Sequence, residues 1–153
     1  MSLTHPLRLY VASSWRNYLQ PAVVDLLREL GHEVYDFRNP APGVKGFAWS
    51  DIDPAWREWT FTEYIQKLNH YKAVDGFTTD FDAMLAADAC VMVLPCGRSA
   101  NLEAGWFVGK GKPLHIIALE REEPDLMYKM ATGLHASLAS LLKAFTIAPG
   151  EVS

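Results

Sequence analysis

Glu103 is the residue of this chain whose surroundings best fit a reactive group. It stands in the run GRSANLEAGW, preceded by Gly97, Arg98, Ser99 and Asn101 and followed by Ala104 and Gly105. The pattern places it in the first turn of a helix over Asn101 to Lys110, directly after a strand. There the helix dipole favours an ionised carboxylate, and the small neighbours leave room for a ligand to approach closely. The same spacing fits a plainer role, because Ser99 with Leu102 or Glu103 loosely resembles a capping box.

Other residues join it as candidates. Asp80 and Asp82 sit two apart on the helix before that strand, so they cannot face the same way. One of them reaches a site only if the other turns to solvent or caps the helix. Asp88 follows a pair of alanines and reads as the end of the helix. Tyr10 lies inside the first strand, as a buried aromatic or as a phenol projecting past the sheet. Ser13, Ser14 and Asn17 occupy a strand-to-helix turn whose N–H groups suit a phosphate or a sugar hydroxyl. Phe47, Trp49, Trp56 and Trp59 fall in one long loop. They are a platform for stacking on a planar ring or a satellite cluster that pins the loop down. Asp51 and Asp53 in DIDP read as turn residues. His5, His32, His70, His115 and His135 show no zinc spacing.

The elements that position these residues follow from hydrophobic periodicity. Leu7 to Ser14 reads as a buried strand, Arg16 to Leu30 as a helix stopped by Gly31, and Glu33 to Phe37 as a second strand. That order is a βαβ unit with a right-handed crossover. Residues 38–59 carry three prolines and three tryptophans with no clear period, which predicts a functional loop over the site. Helical patterns follow at Thr60 to Val74 and at Phe77 to Ala87. A third strand, ACVMVLP, precedes the helix that carries Glu103. A fourth, LHIIAL, precedes helical stretches at Asp125 to Leu134 and Ser137 to Phe145. The chain therefore reads as one α/β domain over residues 1–153, a three-layer flavodoxin-like sandwich around a doubly wound, mostly parallel sheet of four to five strands. In such sheets ligands bind outside the carboxyl ends of the strands, where the strand order reverses. The segments expected to meet there are Ala12 to Asn17 and Cys96 to Glu103.

Composition narrows the partner. The 153 residues are 50% hydrophobic and 21% charged, with a formal net charge of -4. Scattered cations and the absence of a basic stripe argue against nucleic acid, and no apolar run approaches a membrane span. Cys90 and Cys96 bracket a strand that would hold them roughly 20 Å apart, too far for a disulfide. Two free thiols without a signal peptide fit the cytoplasm.

Three segments, YVASSWRN, TTDFDAMLAADACVMVLPCG and SANLEAGWFVGKGKP, together resemble the nucleoside 2-deoxyribosyltransferase family. The resemblance covers about Leu7 to Leu119, and Asp80 to Pro113 is its specific part. It implies a five-stranded doubly wound domain with no metal or cofactor. It also implies a homo-oligomer whose active site borrows residues from a neighbour. The partner is then a small-molecule nucleoside or nucleotide. By the same resemblance Glu103 is the nucleophile that attacks the anomeric carbon and carries the glycosyl group as an ester. Asp80 handles the proton of the leaving base, and Tyr10 holds the nucleophile in place. The turn CGRSAN departs from the family, because it offers Arg98, Ser99 and Asn101 where some members carry an acid. An arginine and a hydroxyl there suit an anionic group, so free nucleoside and 5′-nucleotide both stay open, as do transfer and hydrolysis. The tryptophan-bearing insertion maps onto no part of the family. A nucleotide-binding module with little or no turnover is the alternative.

Overall fold

The strand sequences RLYVA and ACVMV carry apolar side chains toward both faces, as strands buried on both sides require. In the computed structural model, which describes residues 2–149, they form β1 (Arg8–Ala12) and β3 (Ala89–Val93) at the centre of a sheet. β2 (Glu33–Asp36), β4 (Leu114–Ile117) and β5 (Gly133–His135) complete it in the order β2-β1-β3-β4-β5. All four pairings are parallel, with Tyr10 opposite Tyr35 on one side and Cys90 on the other. The order reverses between β1 and β3, which is where the crevice at the carboxyl edge opens.

The chain forms two compact units, residues 2–36 with 86–149 and Phe37–Leu85. In the first, α1 (Gln20–Glu29) and α5 (Leu138–Phe145) cover one face of the sheet. Leu9, Val11, Val91, Val93 and Ile117 pack there with Val23, Leu27, Leu141 and Phe145 in one buried cluster. The opposite face takes α4 (Arg98–Gly109) through Ala100, Ala104 and Phe107. This is a three-layer, flavodoxin-like α/β sandwich. His32 fastens α5 to it. The Leu7 N–H donates to His32 Nδ1 at 3.0 Å, so the ring hydrogen sits on Nε2 and is donated to the Phe145 carbonyl at 2.7 Å.

The second unit gives residues 38–59 a definite structure. Short 3₁₀ turns form at Trp49–Asp51 and Trp56–Glu58, followed by α2 (Phe61–Lys67) and α3 (Tyr71–Ala86). Asp51 accepts from the Ala48 N–H, while Asp53 accepts from the Ala55 N–H and from Trp59 Nε1. A capping box of Thr60 and Glu63 starts α2. Trp49 meets Phe47, Trp59 and Tyr64 edge to face, with centroids 4.9, 5.7 and 5.8 Å away. The tryptophans thus brace the loop against its own helices. Among the described residues no helix is long and apolar enough to cross a membrane.

Four boundaries differ from the periodicity. α1 begins at Gln20 rather than Arg16, because the Asn17 side chain takes the Leu19 and Gln20 N–H groups and caps the helix there. The break between α2 and α3 falls at 68–70, and α3 runs on through Asp75 and Gly76. α4 begins at Arg98, with Gly97 as its N-cap and no side-chain cap. Glu103 is therefore its sixth residue, in the second turn, and the Ser99 capping box does not form. Of the helix expected over Asp125 to Leu134, only a 3₁₀ turn at Leu126–Met130 exists, and Gly133–His135 is the fifth strand. Leu126, Met127, Met130 and Leu134 have helical spacing but stay exposed, so no core rewards a helix there.

Candidate active site

At the carboxyl edge two loops face each other across the switch point. The first follows β1. Ala12 is buried; Ser13 and Ser14 are half-buried, and the Ser13 hydroxyl donates to the Val93 carbonyl at 2.8 Å. Ser14 Oγ accepts from the Arg16 N–H at 3.1 Å. Asn17, only 3% exposed, spans the gap. Its Nδ2 donates to Val93 O at 3.3 Å and Pro95 O at 3.0 Å, while Oδ1 accepts from Leu19 N at 2.8 Å and Gln20 N at 2.9 Å.

The second loop follows β3 and runs into α4. Gly97, Arg98 and Ser99 are exposed at the helix start. No side chain caps the start of α4, and an uncapped helix start is an arrangement suited to an anion. Asn101 is engaged with the scaffold, donating to Gly97 O at 3.0 Å and accepting from the Tyr128 hydroxyl at 3.0 Å.

Glu103 is half-buried on α4. It lies three residues after Ala100 and four before Phe107, both buried against the strands, so it shares their side of α4. Its charge is felt by both thiols. Burial first, then the Glu103 carboxylate, push Cys90 well above its ordinary value. Burial, then Glu103 and Glu122, push Cys96 up to about 11. Neither cysteine is a thiolate near neutral pH, so the carboxylate has no sulfur competitor. Tyr10 is fully buried on β1, its ring stacked on Tyr35 at 5.3 Å and tilted against Phe107 at 5.7 Å.

Asp80, Asp82, Phe47 and Trp49 lie in the second unit, and Asp88 in the first. Asp80 is half-buried on α3, Asp82 is exposed, and the two point apart. Asp80 lines a cavity of about 290 Å³ with Phe47, Asp51, Lys72, Asp75 and Thr79. Phe47 forms its aromatic wall and rests directly on Gly76, where an added Cβ would sit 2.8 Å from the Phe47 Cβ. Trp49 stands behind that wall. Asp88 is structural: its N–H donates to Arg8 O and its carboxylate accepts from Arg8 N, both at 2.8 Å, joining β1 to the start of β3. Among the described residues no group of three His, Cys, Asp or Glu assembles for a metal.

Several polar groups near the crevice had no sequence signal. The Tyr18 hydroxyl donates to Glu120 at 2.8 Å, which raises the Tyr18 pKa. Buried Gln20 donates to buried Asp36 at 2.8 Å. Tyr128 reaches Asn101 from 27 residues away.

No protein-family model and no curated protein matches the chain. Its fold is similar to solved structures. One is the 2-deoxyribosyltransferase of the psychrotolerant bacterium Bacillus psychrosaccharolyticus, with a TM-score of 0.61 and 21% identity, covering 93% of this chain and 98% of that one. Another is a conserved protein from Enterococcus faecalis V583, with a TM-score of 0.61 and 14% identity over 92% of this chain and 98% of the other. At such identities the likeness is one of fold.

Proposed function

We propose that this protein cleaves the N-glycosidic bond of a (deoxy)nucleoside or nucleoside 5′-monophosphate through a glycosyl-enzyme on Glu103, as a member of the nucleoside deoxyribosyltransferase family. The observation that carries the reading is the placement of Glu103. It is a half-buried carboxylate on the sheet side of α4, the helix that follows β3 at the switch point. The fold shared with a 2-deoxyribosyltransferase supports it.

In this mechanism a Glu103 oxygen attacks the anomeric carbon as the bond to the base nitrogen breaks. The bonding pair leaves with the base, and Asp80 delivers the proton that neutralises it. The ester on Glu103 is then resolved by a second base in transfer or by water in hydrolysis. Tyr10 holds the carboxylate in line. Ser13, Ser14 and Ala12 border the sugar, and Gly97, Arg98, Ser99 and Asn101 border its 5′ end. There the uncapped start of α4 and the Arg98 charge suit a 5′-phosphate. Phe47 and Trp49 shape the wall on which the base rests. The same reading makes the protein cytoplasmic, its two cysteines free.

Intact-protein mass spectrometry after brief incubation with a panel of nucleosides and 5′-nucleotides tests the reading, with free base followed by chromatography. A glycosyl mass increase that vanishes in Glu103→Gln is expected. If no substrate yields an adduct or free base, yet some raise the melting temperature, the chain is a binding module.

A further inference from the structure

We propose that Asn17 is a positioning residue which sets the register of the nucleophile's helix against the sugar-side loop, an inference that rests on the reaction proposed above. A primary amide offers two donor hydrogens and two acceptor lone pairs. Asn17 uses both ends within the protein and divides them between the two loops of the crevice. Its donors hold Val93 O and Pro95 O, in the stretch that leads through Gly97 into α4. Its acceptor holds Leu19 N and Gln20 N, the start of α1. Only 3% of its surface is exposed.

The consequence follows from where the strands stop. Within β1 and β3 the ladder fixes the register, from Leu9 opposite Ala89 to Ala12 opposite Met92. Beyond Ala12 the two chains diverge at the switch point, and the side chains of Ser13 and Asn17 carry the pairing onward to Val93 and Pro95. Pro95 lies two residues before the N-cap of α4, and Glu103 lies six residues after that cap. A shift at Pro95 is therefore transmitted along a rigid helix to the carboxylate. Misplacing a reacting group by about 1 Å costs on the order of a hundredfold in rate. No other side chain of this size matches the pattern. Asp keeps the acceptor and turns both donors into lone pairs facing carbonyls. Ser keeps the cap and loses the reach to Val93 and Pro95.

The test compares wild type with Asn17→Asp, and with Asn17→Ser should the first fail to fold. Base release is measured well below the melting temperature and across pH, and amide hydrogen exchange is followed alongside. The expected result is a kcat at least tenfold lower with KM changed less than threefold. For Asn17→Asp, activity relative to wild type recovers partly as pH falls through the carboxyl range, because protonation restores one donor. A variant that melts earlier but keeps kcat within twofold overturns the proposal and leaves Asn17 a structural cap. If wild type itself releases no base, the proposed reaction falls and exchange alone decides. Faster exchange in both 13–19 and 96–102 then upholds the coupling of the loops, and a change confined to 13–20 overturns it.

Discussion

The rings of Tyr10 and Phe107 stand 5.7 Å apart, which ties the middle of β1 to α4 one helical turn beyond Glu103. Because side chains four apart share a helix face, the contact fixes which way Glu103 leaves the helix. In the proposed reaction Tyr10 has two separable jobs, the ring packing against Phe107 and the hydroxyl serving the carboxylate. Tyr10→Phe keeps the ring and is expected to alter unfolding free energy by less than about 1 kcal/mol. Under the proposed mechanism it lowers kcat for base release by about tenfold or more, the loss expected when a hydroxyl that serves a charged group during the reaction is removed. Tyr10→Ala removes both and costs about 3–5 kcal/mol. Chemical denaturation and single-turnover base release read the two effects independently.

The influence of Glu103 on Cys96 gives a check that needs no substrate. Burial is the larger cause of the raised thiol pKa, and the Glu103 charge adds to it. In Glu103→Gln the thiol pKa should fall while staying above the ordinary value. Alkylation of Cys96 near pH 9 then speeds up, and the rate profile shifts to lower pH. An unchanged profile would place the carboxylate away from the thiol.

The sequence carried the sheet well where burial on both faces wrote a continuous apolar run, as in ACVMV, and where Gly31 marked a helix end with φ of 97°. It carried β5 poorly. Three edge residues supply little pattern, and the exposed Leu126, Met127 and Met130 imitate an amphipathic helix. The place of Glu103 on the helix after β3 was legible, although the start of α4 at Arg98 put it a turn deeper than the spacing indicated. The partners of Asn17 were not legible, being 76 and 78 residues away with no periodic signal to link them. The tryptophan loop was legible as an interruption only, because edge-to-face packing leaves no period in a sequence.

Acid should weaken the fold through the imidazole pair of β4 and β5. His115 Nδ1 and His135 Nε2 are 2.9 Å apart, and His135 Nδ1 meets the Ser140 hydroxyl at 2.7 Å. Phe145 covers His115 from α5. Burial, then the neighbouring His135, lower His115 to about 4, and burial lowers His135. The neutral rings are favoured in the folded state, so the unfolded chain binds more protons below the ordinary histidine pKa of about 6.5. Stability is full above that value and declines as pH falls toward about 4. Urea midpoints at pH 7 and pH 4.5 measure the decline, and His115→Gln should make it shallower.

Gly76 reverses the usual effect of alanine in a helix. Gly→Ala at an interior helical site ordinarily stabilises by up to about 1 kcal/mol. Here the new Cβ would lie 2.8 Å from the Phe47 Cβ and 2.9 Å from its Cγ, and overpacking of that kind costs about 1–3 kcal/mol. Gly76→Ala is therefore expected to be net destabilising and to push Phe47 from the wall of the Asp80 cavity. Denaturation gives the sign. Loosened exchange at 46–52, with 8–12 and 89–93 unaffected, localises the change to this unit.

Large apolar side chains stand exposed along α2 and α3. Phe61 is 74% exposed, Tyr71 66% and Phe77 65%, and Ile65, Leu68 and Val74 lie beside them in sequence at helical spacing. Apolar side chains arrayed this densely on α2 and α3 are expected to serve as an association surface. The oligomer implied by the proposed family would cover them with a second copy of the chain. Sedimentation velocity should show a dimer or larger species at micromolar concentration, and Phe61→Glu with Phe77→Glu should shift it to monomer without loss of secondary structure. If the double variant becomes monomeric and base release collapses, the site is completed by the partner. Unchanged turnover in the monomer would make association incidental to the chemistry.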